Sequence, residues 1–219
     1  MIKAVVFDFD YTLGDSTKGI ALSINYALLK LGYSEKNLDE IRKTIGLSLK
    51  ETYAVLTKQD NPDEAGQFAV LFKEKADQVM AANAELYEGA KEVLQKLQDR
   101  CCRTAIVTTK FHYRIEQILG KFDAMELIDM IVGAEDVKIE KPDPEGLLWT
   151  VSHLGIEKEE VLYVGDSLVD AKTAANAGIL FAGVLTGTTS RADFEPYSHV
   201  YIGNDVSDVY DYMQNQIIS

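Results

Sequence analysis

The run Ala4-Val5-Val6-Phe7 is apolar, rich in β-branched residues and closed by Asp8, which suits a strand buried on both faces of a parallel sheet. No second run like it follows soon. Over residues 16–84 the apolar side chains recur at helical spacing instead: Ile20, Ile24, Ala27, Leu28 and Leu31 ahead of Gly32, then stretches at 38–45, 49–56 and 68–82. After Glu88-Gly89, strand and helix alternate. Strands are predicted at 104–107, near 127–132, and at 161–164, 179–182 and 200–202, with helices at 90–97, 113–119, 144–154, 167–177 and from about 206. The pattern predicts an α/β fold, a doubly wound (Rossmann-like) parallel sheet core with an inserted all-α helical cap domain. The core is expected over residues 1–14 and 86–219 and the cap over 15–85. A module inserted after the first strand is positioned over the carboxyl ends of the strands, where open α/β sheets bind ligands, and is therefore read as a lid.

The polar residues gather at those same ends. Asp8 and Asp10 follow the first predicted strand, Thr108 and Thr109 the second, Lys141 lies beyond the third, and Asp166 with Asp170 follow the fourth. Asp8 and Asp10 are two apart, so in extended backbone they project to one side, while Asp170 lies one helical turn beyond Asp166. Four carboxylates converging in one crevice repel strongly, and one lysine does not neutralise them. A hard divalent cation with oxygen ligands, Mg²⁺ above all, answers that charge and would polarise a phosphoryl group.

Charge narrows the partners. Lysine and arginine number 22 against 35 aspartates and glutamates, a net charge of −13, and no basic block interrupts the balance. Nucleic acid and anionic membrane surfaces are therefore not expected as partners. Cys101 and Cys102 are adjacent and suit neither a disulfide nor a metal site, and His112, His153 and His199 lack ligand spacing. No apolar run is long enough to span a bilayer, and the amino-terminal stretch meets an acid too early for a secretory signal, so a cytoplasmic protein is expected. Trp149, on a helix packed against the sheet, is expected in the core. Thr12 and Ser16 are expected to make turn and helix-capping hydrogen bonds. Lys110 is left open between a substrate contact and a solvated surface lysine.

Asp8-Phe9-Asp10-Tyr11-Thr12-Leu13, the strand-terminal Thr108, Lys141-Pro142-Asp143-Pro144 and Gly165-Asp166-Ser167-Leu168-Val169-Asp170 together resemble the four motifs of the haloacid dehalogenase superfamily. They stand in the same order, and the helical insertion is similar to that family's small cap. The segment Ile45-Gly46-Leu47-Ser48-Leu49-Lys50-Glu51-Thr52 and Val107-Thr108-Thr109-Lys110 are similar to phosphoglycolate phosphatases. The resemblance implies a Mg²⁺-dependent phosphatase acting on a small phosphorylated metabolite through an aspartyl-phosphate, as a monomer or weak homodimer. It implies Asp8 as nucleophile, Asp10 as acid/base, Thr108 and the Thr109 backbone as phosphoryl contacts, and Lys141 as the balancing charge. Metal would be held by Asp8, Asp166 and the Asp10 carbonyl, with Asp170 positioning Lys141. Asp10 favours phosphoryl transfer over dehalogenation, because only an alkoxide leaving group needs a proton. A phosphomutase or pyrophosphatase on the same scaffold is the alternative. A receiver-type signalling module fits less well, since it would carry adjacent acids and no insertion. One departure stands out: Tyr11 occupies a position that is usually glycine in this group. It predicts an ordinary backbone there, with the ring lining the leaving-group pocket.

Overall fold

The computed structural model describes residues 1–216; residues 217–219, which end the expected core segment, lie outside the described residues. The chain divides into two compact units, one made of Met1–Asp15 with the described chain from Leu86 onward, the other of Ser16–Glu85.

The first unit is built on β1 (Ala4–Phe7), β4 (Arg103–Val107), β5 (Met130–Val132), β6 (Val161–Gly165), β7 (Leu180–Val184) and β8 (Tyr201–Gly203). The two-residue strands β2 (Gly14–Asp15) and β3 (Glu85–Leu86) mark where the chain leaves and re-enters it. Its helices are α5 (Ala90–Asp99), α6 (His112–Lys121), α7 (Glu145–Leu154), α8 (Leu168–Ala177), α9 (Arg191–Phe194) and α10 (Val206–Gln216). The six longer strands form one sheet in the order β5-β4-β1-β6-β7-β8, with every pairing parallel. Ala4 lies opposite Arg103 on one side and Val161 on the other, so β1, β4 and β6 finish level with one another. The strand order reverses at β1, which puts the crevice of this sheet at the ends of β1, β4 and β6.

Both sheet faces are covered, which is why the strands read as continuous apolar runs. On one face, Leu147 and Val151 of α7 and Ala171 and Ala174 of α8 join Val6, Ala105 and Tyr163 in one buried cluster. Val5, Ile106 and Leu162 alternate to the other face and are also fully buried. There α5 packs against β4 and α10. The expected strand near 127–132 is a 3-10 turn at Met125–Leu127 followed by β5 from Met130. Two hydrogen bonds explain the shortening: the Thr104 hydroxyl donates to the Leu127 carbonyl and Asp129 N–H to the Thr104 carbonyl, bending the chain before ladder pairing starts. Trp149 corrects the expectation of a core residue. Helix α7 buries Gly146, Leu147, Thr150 and Val151, which leaves Trp149 at its outer edge, 40% exposed, with its ring 4.5 Å from His153.

The second unit is helical: α1 (Thr17–Lys30), α2 (Leu38–Arg42), α3 (Leu49–Thr57) and α4 (Pro62–Val79). Helix α4 starts six residues before its apolar pattern does, because Asn61 accepts from the N–H groups of Asp63 and Glu64 and Pro62 occupies the first turn. Ile20, Ile24, Ala27 and Leu28 of α1 are buried along with Tyr53 and Leu56 of α3 and Phe68, Phe72 and Ala76 of α4. Gly19 allows α1 to approach the end of α4: a Cβ there would lie 3.1 Å from the Met80 Cα. Ser16 stands at the N-cap of α1 yet makes no side-chain capping bond, unlike Ser48 on α3, which forms a full capping box with Glu51.

Candidate active site

The acids lie at the carboxyl ends of the strands of the first unit. Asp8 follows β1 directly, Asp166 follows β6, and Asp170 sits in the first turn of α8, where Ser167 caps the helix and its hydroxyl and N–H donate to Asp170 Oδ2 at 2.5 and 3.1 Å. Asp8, Asp166 and Asp170 are buried and present carboxylate oxygens within 4.8 Å of one another. Gly165 and Gly187 make room for this. A Cβ on Gly165 would lie 2.4 Å from the Asp170 Cγ, and one on Gly187 only 1.8 Å from Asp166 Oδ2.

Lys141 is buried among them. Its ammonium lies 2.7 Å from Asp170 Oδ1, 3.0 Å from the Tyr163 hydroxyl and 3.0 Å from Asp8 Oδ1. The first two are hydrogen bonds and the third is a buried ion pair. Burial alone would favour the neutral amine, but Asp170, Asp8 and Tyr163 outweigh it and hold Lys141 well above the usual lysine range. Burial acts on Asp8 against the attraction of Lys141 and, reinforced by repulsion from Asp170 and Asp10, pushes it up to about 6. Burial, with repulsion from Asp170 and Asp8, also raises Asp166 well above the carboxylate range.

Asp10 follows a different course. The Phe9 carbonyl accepts from Thr12, Leu13 and Gly14 N–H at 3.1, 2.9 and 3.1 Å, winding a tight turn that carries Asp10 to a second buried lysine, Lys110, with Nζ 2.9 Å from Asp10 Oδ2. Lys110 is thus neither solvated nor remote: its side chain is 5% exposed. The turn also overturns the expectation for Tyr11. Its φ is +60°, in the left-handed region, which for a side chain of this kind costs about 1–3 kcal/mol. Its N–H donates to the Gly14 carbonyl and its carbonyl accepts from the Thr186 hydroxyl, and with the residue 6% exposed these hold the strained backbone in place. Thr12 departs from expectation too: its hydroxyl is buried in this turn without a hydrogen-bond partner. Thr108, 5% exposed, directly follows β4; its N–H donates to the Val132 carbonyl and its hydroxyl accepts from Lys110 N–H at 3.3 Å. Thr109 lies beside it, half-buried.

Tyr163 was not singled out by the sequence. It packs within the sheet cluster while its hydroxyl meets Lys141, Asp170 and, at 3.2 Å, the Val107 carbonyl. The available signal was one hydroxyl-bearing ring in the otherwise aliphatic run Val161-Leu162-Tyr163-Val164.

Four acidic side chains face two ammonium groups here, so with every acid ionised the crevice would carry two excess negative charges, and like charge crowds Asp166. Both oxygens of Asp170 are already engaged by Lys141, Tyr163 and Ser167. That donor set fits one hard divalent cation held by Asp8 and Asp166.

A parallel sheet reversing at β1, with buried acids and lysines gathered at its carboxyl edge, is the arrangement of an α/β enzyme. The sequence profile of the haloacid dehalogenase-like hydrolases matches residues 5–184, and the chain belongs to that family. It is 34% identical over 185 residues to a phosphoglycolate phosphatase of Cereibacter sphaeroides (strain ATCC 17025 / ATH 2.4.3), covering 83% of this chain and 84% of that one. It is 28% identical to pyrophosphatase PpaX of Bacillus velezensis, covering 89% and 90%. Among solved structures, one from Bacteroides fragilis described as a haloacid dehalogenase-like hydrolase superposes with a TM-score of 0.92 at 38% identity, covering 95% of this chain and all of that one.

Proposed function

We propose that the protein is a Mg²⁺-dependent phosphatase of small phosphate monoesters, of the phosphoglycolate phosphatase kind, working through an aspartyl-phosphate on Asp8. The observation that carries this is Asp8 itself: a buried carboxylate whose Oδ1 faces the Lys141 ammonium at 3.0 Å and which is flanked two residues on by a second carboxylate. Asp8 and Asp166, with the Asp10 backbone carbonyl, would hold the cation, which when bound supplies positive charge to the phosphoryl oxygens.

A carboxylate oxygen of Asp8 attacks phosphorus as the bond to the ester oxygen breaks, and Asp10 gives that oxygen its proton. Asp10, now a carboxylate, takes a proton from water as the water oxygen attacks phosphorus; the bond to Asp8 breaks and inorganic phosphate leaves. Lys141 restrains Asp8 and offsets the negative charge that spreads over the phosphoryl group in each transfer. Asp170 and Tyr163 keep the Lys141 ammonium aimed and charged. Thr108 and the Thr109 N–H serve the phosphoryl oxygens.

The test is phosphate release from p-nitrophenyl phosphate and a panel of small esters and inorganic pyrophosphate, with and without Mg²⁺, for the unmodified chain and Asp8→Asn. Turnover that needs Mg²⁺ and vanishes in Asp8→Asn is expected. Folded protein that releases no phosphate from any of them would refute the reading.

A further inference from the structure

We infer that Lys110 is the positioning residue for Asp10: it holds the carboxyl that serves the leaving group, and it does not serve as a receptor for the substrate. This rests on the phosphatase reading above. Three observations carry it. The Lys110 ammonium lies 2.9 Å from Asp10 Oδ2, and the two side chains are 5% and 10% exposed, so the pair is shielded from the water that makes surface ion pairs weak. The Lys110 backbone is fastened on both sides, its N–H donating to Thr108 Oγ1 at 3.3 Å and its carbonyl accepting from Ala134 N–H at 3.1 Å. Gly133 lets that loop close, since a Cβ there would lie 2.8 Å from the Lys110 carbonyl and 2.3 Å from the His112 nitrogen.

The two lysines of the site therefore divide the work. Lys141 is committed to Asp8, Asp170 and Tyr163, while Lys110 takes Asp10. Asp10 stands on a turn wound by backbone hydrogen bonds, next to a strained residue, and a fixed cation from another strand end sets its side-chain rotamer. Without that cation the carboxyl would sample orientations that cannot reach the ester oxygen, and proton delivery would falter while attack by Asp8 would not.

The experiment compares the unmodified chain with Lys110→Met, using kcat/KM, which reports the steps through the first phosphorus–oxygen cleavage. Three substrates are read: p-nitrophenyl phosphate, whose phenolate leaves without a proton; ethyl phosphate, whose alkoxide needs one; and 2-phosphoglycolate, which needs one and carries a carboxylate besides. The expected result is a loss of about 10–100-fold on both alkyl esters with p-nitrophenyl phosphate changed less than about 3-fold. Loss confined to 2-phosphoglycolate would make Lys110 a substrate receptor and overturn the inference. An equal loss on all three would make it a structural residue and overturn it too. If Lys110→Met does not fold, Lys110→Gln, which stays polar but loses the charge, is read by the same ratios: selective loss on both alkyl esters is expected, and equal loss on all three substrates overturns the inference. An unmodified chain inactive on every ester would bring down the phosphatase reading and this inference with it, whereas an active chain with unselective loss brings down the inference alone.

Discussion

Asp8 carries a conflict between stability and chemistry. Burial and neighbouring acids raise its pKa to about 6 from an ordinary 3.8, so in the metal-free protein its ionisation opposes folding. The sign follows from linkage. A group whose folded pKa is raised contributes stability that is fully present below the unfolded value and is lost as pH rises through the folded value. Asp8→Asn should therefore raise the Tm in EDTA at pH 7.5, by about 2–4 °C for each kcal/mol relieved. The gain should shrink as pH falls through 6 and disappear near 4. Thermal melts across that range check it, and a variant less stable than the parent at neutral pH would contradict it. At this scale the sequence marks Asp8, Asp10 and Asp166 because acids close or follow apolar runs at matching places, whereas Lys141 lies in a polar stretch beyond β5 and stands out only by its motif. Tyr11 was misread, since its φ of +60° depends on three N–H groups converging on one carbonyl, which no single-residue preference encodes. Tyr163 was hidden because an aromatic in a strand reads as core until its hydroxyl is seen to meet Lys141.

At the scale of elements, the helices of the second unit separate propensity from packing. A methyl added at Gly66 in α4 would stand in open space, with no atom of a neighbouring element among the described residues within 4 Å. Gly66→Ala should add up to about 1 kcal/mol and raise Tm by about 2–4 °C. Gly19 in α1 has the same intrinsic penalty, yet its added methyl would press on the Met80 Cα at 3.1 Å and Sδ at 3.0 Å. Gly19→Ala should therefore gain nothing or lose stability. Paired thermal melts decide it, and equal gains at both positions would show that the Met80 contact is slack. Helix α4 shows what pattern reading misses at this scale. Its first turn, Pro62 to Ala65, owes its helical form to a capping asparagine and a proline, so an apolar period beginning at Phe68 set the start too late.

For the whole molecule, charge is the governing quantity. With a net charge of −13 and four acidic side chains facing two lysines in its crevice, the protein should be stabilised by a divalent cation far beyond any general effect of salt. Tm should climb with Mg²⁺ as binding to the folded state predicts, about 2.7 kcal/mol at one hundred times the dissociation constant. Asp166→Asn should remove the climb, while an equal ionic strength of NaCl should not reproduce it in the parent. A Mg²⁺ response unchanged in Asp166→Asn would place the cation elsewhere.

The sequence by itself determined the alternation of strand and helix, the parallel sheet, and the gathering of acids at strand ends, because burial on both faces of a sheet writes itself as local apolar runs and polar stops. Tertiary structure alone decided which charges meet. The pairing of Lys110 with Asp10 and of Lys141 with Asp8, Asp170 and Tyr163 depends on the level ends of β1, β4 and β6, a register set by hydrogen bonds between strands far apart in the chain. Ion pairs act over a few ångströms of space, and a linear sequence records that distance only after the sheet has been assembled.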